Sequence, residues 1–166
     1  MPKHSFISWM AILNRLPTKD RLREWGIEIE GMCELCQNEM ESKNHIFFGC
    51  SFSQEVWREV LRMSGLNRRM MCWEQELEWA GKRLKGKALI SVLLRAAWNA
   101  HIYHIWKERN SRIFAQKAAT GEQVLKLIKH DIRFRLDRMQ NVKKDHVNIL
   151  LLRNWNLSEF FFVNDV

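Results

Sequence analysis

An all-α, mostly helical fold is predicted for this chain, and three observations predict it. Apolar residues recur three and four apart along most of the 166 residues, the spacing that keeps one face of a helix in a core. Seven Gly and two Pro are too few for the turns of an all-β fold or for a long flexible linker. Between the second and third helical stretches, three of the four cysteines crowd into a short loop, which points to a small ligand-bound module packed with helices.

Taken in order, Phe6, Trp9, Met10, Leu13 and Leu16 mark the apolar face of a first helix, with Pro17 ending it. Thr18 is placed to cap a short second helix from Lys19 to Trp25, which Gly26 stops. After the cysteine loop, Ser51 and Gln54 have capping-box spacing. They open a helix whose stripe is Phe52, Val56, Trp57, Val60 and Leu61 and which ends near Gly65. A more polar stretch, 67–86, contains Cys72, read as a small buried hydrophobe. A long helix from about Lys87 to Arg112 follows, with Ile90, Leu94, Ala97, His101, Ile105 and Trp106 along one side. His101 and His104 lack a carboxylate or cysteine at matching spacing and read as polar positions on a half-buried helix. The last long helix, Gly121 to about Asn141, carries a seam of Leu125, Ile128, Ile132, Leu136 and Met139. The tail holds the run Ile149–Leu152 and the triplet Phe160–Phe162, expected either to dock on the body or to form a sticky end. The division expected is 1–66 as a ligand-bound helical module, 67–145 as a basic helical segment and 146–166 as an apolar tail.

The cysteine loop reads Cys33-x2-Cys36-x8-His45-x4-Cys50. Zn²⁺ takes thiolate sulfur and imidazole nitrogen in a closed tetrahedron, and two cysteines two residues apart grip it from one tight turn. Cys33, Cys36, His45 and Cys50 are therefore the expected ligands of one structural Zn²⁺. Four such ligands leave no position for an activated water, so Glu34, Glu39 and Glu41 in the loop have nothing to activate.

The residues around these ligands, Trp9 to Leu22, Trp25-Gly26-Ile27, Glu41-Ser42, Phe47-Phe48, Phe52-Ser53 and Val56-Trp57, extend the pattern. Over about residues 5 to 65 the chain resembles the zinc-binding domain that follows the reverse transcriptase in plant non-LTR (LINE-type) retrotransposons and their derived host genes. Ile105-Trp106-Lys107-Glu108-Arg109-Asn110-x-Arg112-Ile113-Phe114 looks like the segment that often follows that domain. The resemblance implies a zinc module of a retroelement polyprotein that helps grip nucleic acid, and it implies the same four metal ligands.

No catalytic residues are expected. The chain has no Tyr-x-Asp-Asp polymerase signature, and Tyr103 is its only tyrosine. Beyond residue 81 the carboxylates Glu108, Glu122, Asp131, Asp137, Asp145, Glu159 and Asp165 lie on basic helical segments without the strand pattern that would gather them around magnesium. The expectation is a remnant that has lost the catalytic parts. Four Cys without a signal peptide predict an intracellular protein, nuclear or cytoplasmic. The longest apolar run, Ala88 to Leu94, is too short for a membrane span.

Charge separates the halves. Residues 1–81 hold ten Lys/Arg against twelve Asp/Glu, whereas 82–144 hold sixteen against four. The zinc loop reads as acidic and repellent to phosphate, so the basic helices are the expected contacts: Lys82, Arg83, Lys85, Lys87, Lys126, Lys129, Arg133 and Arg135. Two function classes follow. One is a zinc-folded module that binds RNA or single-stranded DNA without strong sequence preference. The other is a structural, interaction or regulatory protein in which the Leu125–Met139 stripe recruits a partner or a second copy and the basic stripe is a solvated face.

Overall fold

The computed structural model describes residues 2–136, 139 and 142–157. Among these residues, seven α-helices run in the order α1 (Pro2–Ile12), α2 (Lys19–Glu24), α3 (Ser51–Met63), α4 (Trp73–Arg83), α5 (Leu89–Ala115), α6 (Gly121–Leu136) and α7 (His146–Trp155), with a π-helical turn at His45–Gly49. The described residues form no strand; one antiparallel bridge pairs Met32 with Met40. The predicted all-α fold is the observed one. No helix among the described residues is long and apolar enough to cross a membrane.

The long α5 is the axis on which the others pack: α1 and α6 lie against it, and α3 packs on α6 and on the π turn. Beneath the cysteine loop sits an aromatic core. Phe48 stacks on His101 at 5.4 Å between ring centroids and meets Trp57 and Trp73, each at 5.8 Å. Trp73 in turn lies 5.9 Å from Trp98. Such tilted and edge-on contacts suit the ring quadrupoles and add to the burial of large apolar area.

Four local readings are corrected. Of the expected apolar face, Leu16 is in the core and Met10 packs against it, but Phe6 is 55% exposed, Trp9 50% and Leu13 42%, and on α1 it is His4, Ser8 and Ala11 that are buried. The small side chains of Ser8 and Ala11 allow α1 to approach α5 closely. The helix also ends before Pro17, because Asn14 adopts φ +52 and the Arg15 N–H bonds the Met10 carbonyl in a left-handed cap. Thr18 sits at the N-cap of α2, but its hydroxyl makes no cap bond; Glu41 accepts the Lys19 N–H instead, at 2.9 Å. At α3 the N-cap is Cys50, and Ser51 is already helical. Gln54 there donates to the Phe48 carbonyl. A capping box does occur, at α6, where Thr120 Oγ1 accepts the Gln123 N–H and Gln123 Oε1 accepts the Thr120 N–H.

The polar stretch 67–86 holds an unpredicted helix, α4. Its Trp73, Glu76 and Ala80 are buried, and Glu76 is held by a two-pronged Arg68 at 2.7 and 2.6 Å. Cys72, read as buried, is exposed just ahead of that helix. On α6 the seam residues Ile128, Ile132 and Leu136 are buried together with Val124, while Leu125 and Met139 are partly buried. The tail's first part forms α7, with Leu151, Leu152 and Trp155 buried and Asn154 donating to the Met63 carbonyl. Phe160–Phe162 lie outside the described residues.

His101 is not a half-buried polar position but fully enclosed, with Nε2–H donating to the Phe47 carbonyl at 3.0 Å. Burial, opposed by that hydrogen bond and reinforced by His104, lowers its pKa to about 4. The unfolded chain takes up this proton near pH 6.5 and the folded one only near 4. Stability contributed by the neutral ring is thus complete above about 6.5 and lost as pH falls toward 4, by roughly 3 kcal/mol. The His101 ring resonances are expected to stay at their neutral positions through pH 6.5 in a histidine NMR titration; a midpoint near 6.5 would refute the buried placement.

Candidate metal centre

The loop between α2 and α3 closes on itself with few backbone bonds. The Cys33 N–H bonds the Glu39 carbonyl at 2.8 Å, the Gln37 N–H bonds the Cys33 carbonyl at 2.9 Å, and the Glu41 N–H bonds the Gly31 carbonyl at 2.8 Å. Gln37 takes φ +55 at the tip. This turn presents Cys33 and Cys36 side by side. The other two ligands flank the π turn, where the Cys50 N–H reaches back five residues to the His45 carbonyl. An α-helical turn would carry positions i and i+5 to different sides. The wider π turn brings His45 and Cys50 to one side, which is the physical meaning of the x4 spacing.

All four expected ligands meet. One donor atom from each of Cys33, Cys36, His45 and Cys50 lies within 4.8 Å of the others. Cys33 Sγ is 4.0 Å from Cys50 Sγ, and Cys36 Sγ is 3.3 Å from His45 Nε2. Zn–S bonds of roughly 2.3 Å and Zn–N bonds of roughly 2.0 Å span a tetrahedron with edges near these distances. Cys33, His45 and Cys50 are buried and Cys36 half-buried. The Cys3His group fits one structural Zn²⁺.

The donor set shares protons that a metal would displace. The Cys33 thiol is pushed up to about 12, first by its hydrogen bond to Cys50 and then by burial. Cys50 is lowered, chiefly by accepting from Cys33, against burial, with the Ser53 N–H at the start of α3 assisting. His45 is raised to about 9 by the Cys33 sulfur above all, against burial, with Cys36 adding to it. Zinc binding at neutral pH therefore releases protons.

The sequence reading missed the residues that hold this loop in place. His45 Nδ1 faces Glu39 Oε2 at 3.4 Å, an arrangement that commits Nε2 to the metal side. The Leu35 N–H approaches Cys33 Sγ at 3.4 Å. Lys19, only 3% exposed, donates to the Met32 carbonyl at 2.7 Å and to Glu34. Glu41 is buried and gripped by Arg109 of α5 at 2.7 and 3.2 Å. Arg112 donates to the carbonyls of Glu34 and Leu35, and its own position is fixed by Glu108. Glu34 and Glu41 are therefore paired, and the loop is less acidic than a count of its own residues suggests. The segment 105–114 is the clamp that grips the loop. Its signal in the sequence was Glu108, Arg109 and Arg112 at spacings that share one helix side with core positions.

The expected phosphate contacts are surface residues. Lys82, Arg83, Lys85, Lys87, Lys126 and Arg135 are exposed, and Lys129 and Arg133 are half-buried. Lys82 pairs with Glu78 and Lys126 with Glu122 along their helices. Arg133 spends its Nε on the Trp155 carbonyl at 3.3 Å. Arg95 is also exposed. It donates to the Gly86 carbonyl at 3.4 Å, and it lines a cavity together with Asn99 and Arg135.

Residues 1–57 match the family described as zinc-binding in reverse transcriptase, and that stretch contains all four ligands. No curated protein and no solved structure matches the chain. The N-terminal third of this protein is thus similar to the accessory zinc-binding domain of reverse transcriptases.

Proposed function

We propose that this protein is a non-enzymatic, zinc-folded module, derived from the zinc-binding part of a retroelement reverse transcriptase polyprotein, that binds RNA or single-stranded DNA without strong sequence preference. The observation that carries this reading is the continuity of the basic face. The loop with Lys85 and Lys87 joins Arg95 of α5, and Arg95 shares a cavity wall with Arg135 of α6. Phosphates read along such a path neutralise charge and release counterions without consulting the bases. Trp98 and Trp106 of α5 belong to the core and are not stacking platforms. The zinc loop contributes by holding the helices in place.

The test is fluorescence anisotropy of labelled single-stranded RNA, single-stranded DNA and duplex DNA against zinc-loaded protein over a range of salt. The expected result is binding whose log K falls linearly with log salt, at roughly −0.7 per phosphate contact on single strands. Absence of any anisotropy change at low salt overturns the reading. A second reading, a protein-interaction module, is favoured by the exposed Phe6, Trp9, Ile12 and Leu13 of α1. It gains if nucleic acid fails to bind and if Trp9→Ser changes capture of a partner.

A further inference from the structure

A second group of metal-ligating side chains lies outside the cysteine loop. His4 of α1, His104 of α5 and Asp131 of α6 each bring one ligand atom within 4.8 Å of the others. On its own helix, Glu108 is taken by Arg112 and the Ala119 N–H; the fold supplies His104 with a carboxylate from α6 and a second imidazole from α1. His4 is 1% exposed and His104 6%, so the site is lined by buried imidazoles. His104 Nε2 stands 2.6 Å from Asp131 Oδ2. His4 Nε2 stands 3.4 Å from the same oxygen and makes no hydrogen bond there.

The unpartnered imidazole is the informative part. Both ring nitrogens of His4 are buried without a hydrogen-bond partner among the described residues, as is Nδ1 of His104. Burying a polar nitrogen without a partner costs free energy, and native proteins rarely leave such a group unsatisfied. Packing accounts for the ring's position, since it stacks on Tyr103 at 4.2 Å, but not for its lone pair. A cation bound between the three side chains uses that lone pair and the carboxylate together.

We propose that His4, His104 and Asp131 bind a second divalent ion of the borderline class, zinc foremost, which clips α1 to α5 and α6. Two imidazoles and a carboxylate form a donor set that zinc accepts. Bonds of roughly 2.0–2.2 Å in a tetrahedron place ligand atoms roughly 3.3 Å apart. The His4–Asp131 separation already matches, and the His104–Asp131 pair needs to open by several tenths of an ångström. A cavity of about 210 Å³ bordered by His4, Arg95, Asn99 and Arg135 lies beside His4. The clip also accounts for a helix that turns Phe6, Trp9 and Leu13 outward and is seated through His4, Ser8 and Ala11.

Cobalt(II) titration of the metal-free, reduced full chain separates the two sites, because only thiolate ligands give an intense sulfur-to-cobalt charge-transfer band. The expected result is a charge-transfer band that saturates at one equivalent, and weaker ligand-field bands that keep growing to a second equivalent. His4→Phe preserves the stack on Tyr103 and removes one ligand; it should lose the second equivalent and keep the first. Asp131→Asn should do the same, and zinc content by mass spectrometry should fall from two to one per chain in both. Uptake of a single equivalent by the wild type overturns the proposal. So does a second equivalent that persists in His4→Phe, since it then resides on exposed groups such as His130. Failure of the charge-transfer band alone would count against the cysteine site and leave this one standing.

Discussion

Removing the ion from the Cys3His site, with a chelator or by Cys50→Ser, is expected to abolish the cooperative thermal transition of the whole chain. The loop that carries the ligands has one bridge pair and a handful of backbone bonds, too few to fix its conformation. Its π turn nonetheless delivers Ile46, Phe47 and Phe48, all fully buried, to the aromatic core. Loss of the ion frees both ends of that turn, and the core loses its central rings. Structural zinc contributes about 10–16 kcal/mol of apparent folding energy near pH 7, which is as large as the whole stability of an ordinary domain. Circular dichroism melts with and without chelator test this directly, with recovery on adding zinc. An unchanged, cooperative melt of the metal-free chain would show that the helices fold without it.

Arg109→Met is the second large expected effect, a loss of about 3–5 kcal/mol, because it leaves the Glu41 carboxylate buried without its partner. Glu41 is 1% exposed and Arg109 3%, and the same carboxylate also holds the first N–H of α2. One ion pair therefore joins α2, the zinc loop and the far end of α5. The double variant Glu41→Met, Arg109→Met should recover part of the loss, since an apolar pair replaces the buried ion pair at little cost while the Lys19 N–H loses its acceptor. Urea denaturation of the two single variants and the double one measures this coupling. Strict additivity would mean the two side chains do not act on each other.

What was legible in the sequence was local. The four zinc ligands stood out because coordination chemistry demands particular residue types at short spacings, and all four meet in the fold. Helices α3, α5 and α6 were legible because their apolar stripes are long and regular. On α1 the same rule misled, since a close helix crossing favours Ser8 and Ala11 over the larger Phe6 and Trp9, and no periodicity rule weighs that preference. Helix α4 was hidden because its fully buried residues are only Trp73, Glu76 and Ala80, and a buried glutamate looks like surface until Arg68 is seen beside it. The Arg109–Glu41 pair spans 68 residues, and the His4–His104–Asp131 group draws on three helices. Contacts of that range are set by packing and leave no spacing to read.

The functional claim, that the zinc loop is scaffold and the basic face does the binding, meets its most direct test in one comparison. The salt dependence of single-stranded RNA affinity is measured for zinc-loaded wild type and for a variant with Lys85, Lys87, Arg95 and Lys126 changed to Gln. Equal metal content and equal melting temperatures confirm an intact scaffold. The account predicts weaker binding and a slope shallower by roughly 0.7 for each phosphate contact removed. An unchanged affinity and slope would contradict it.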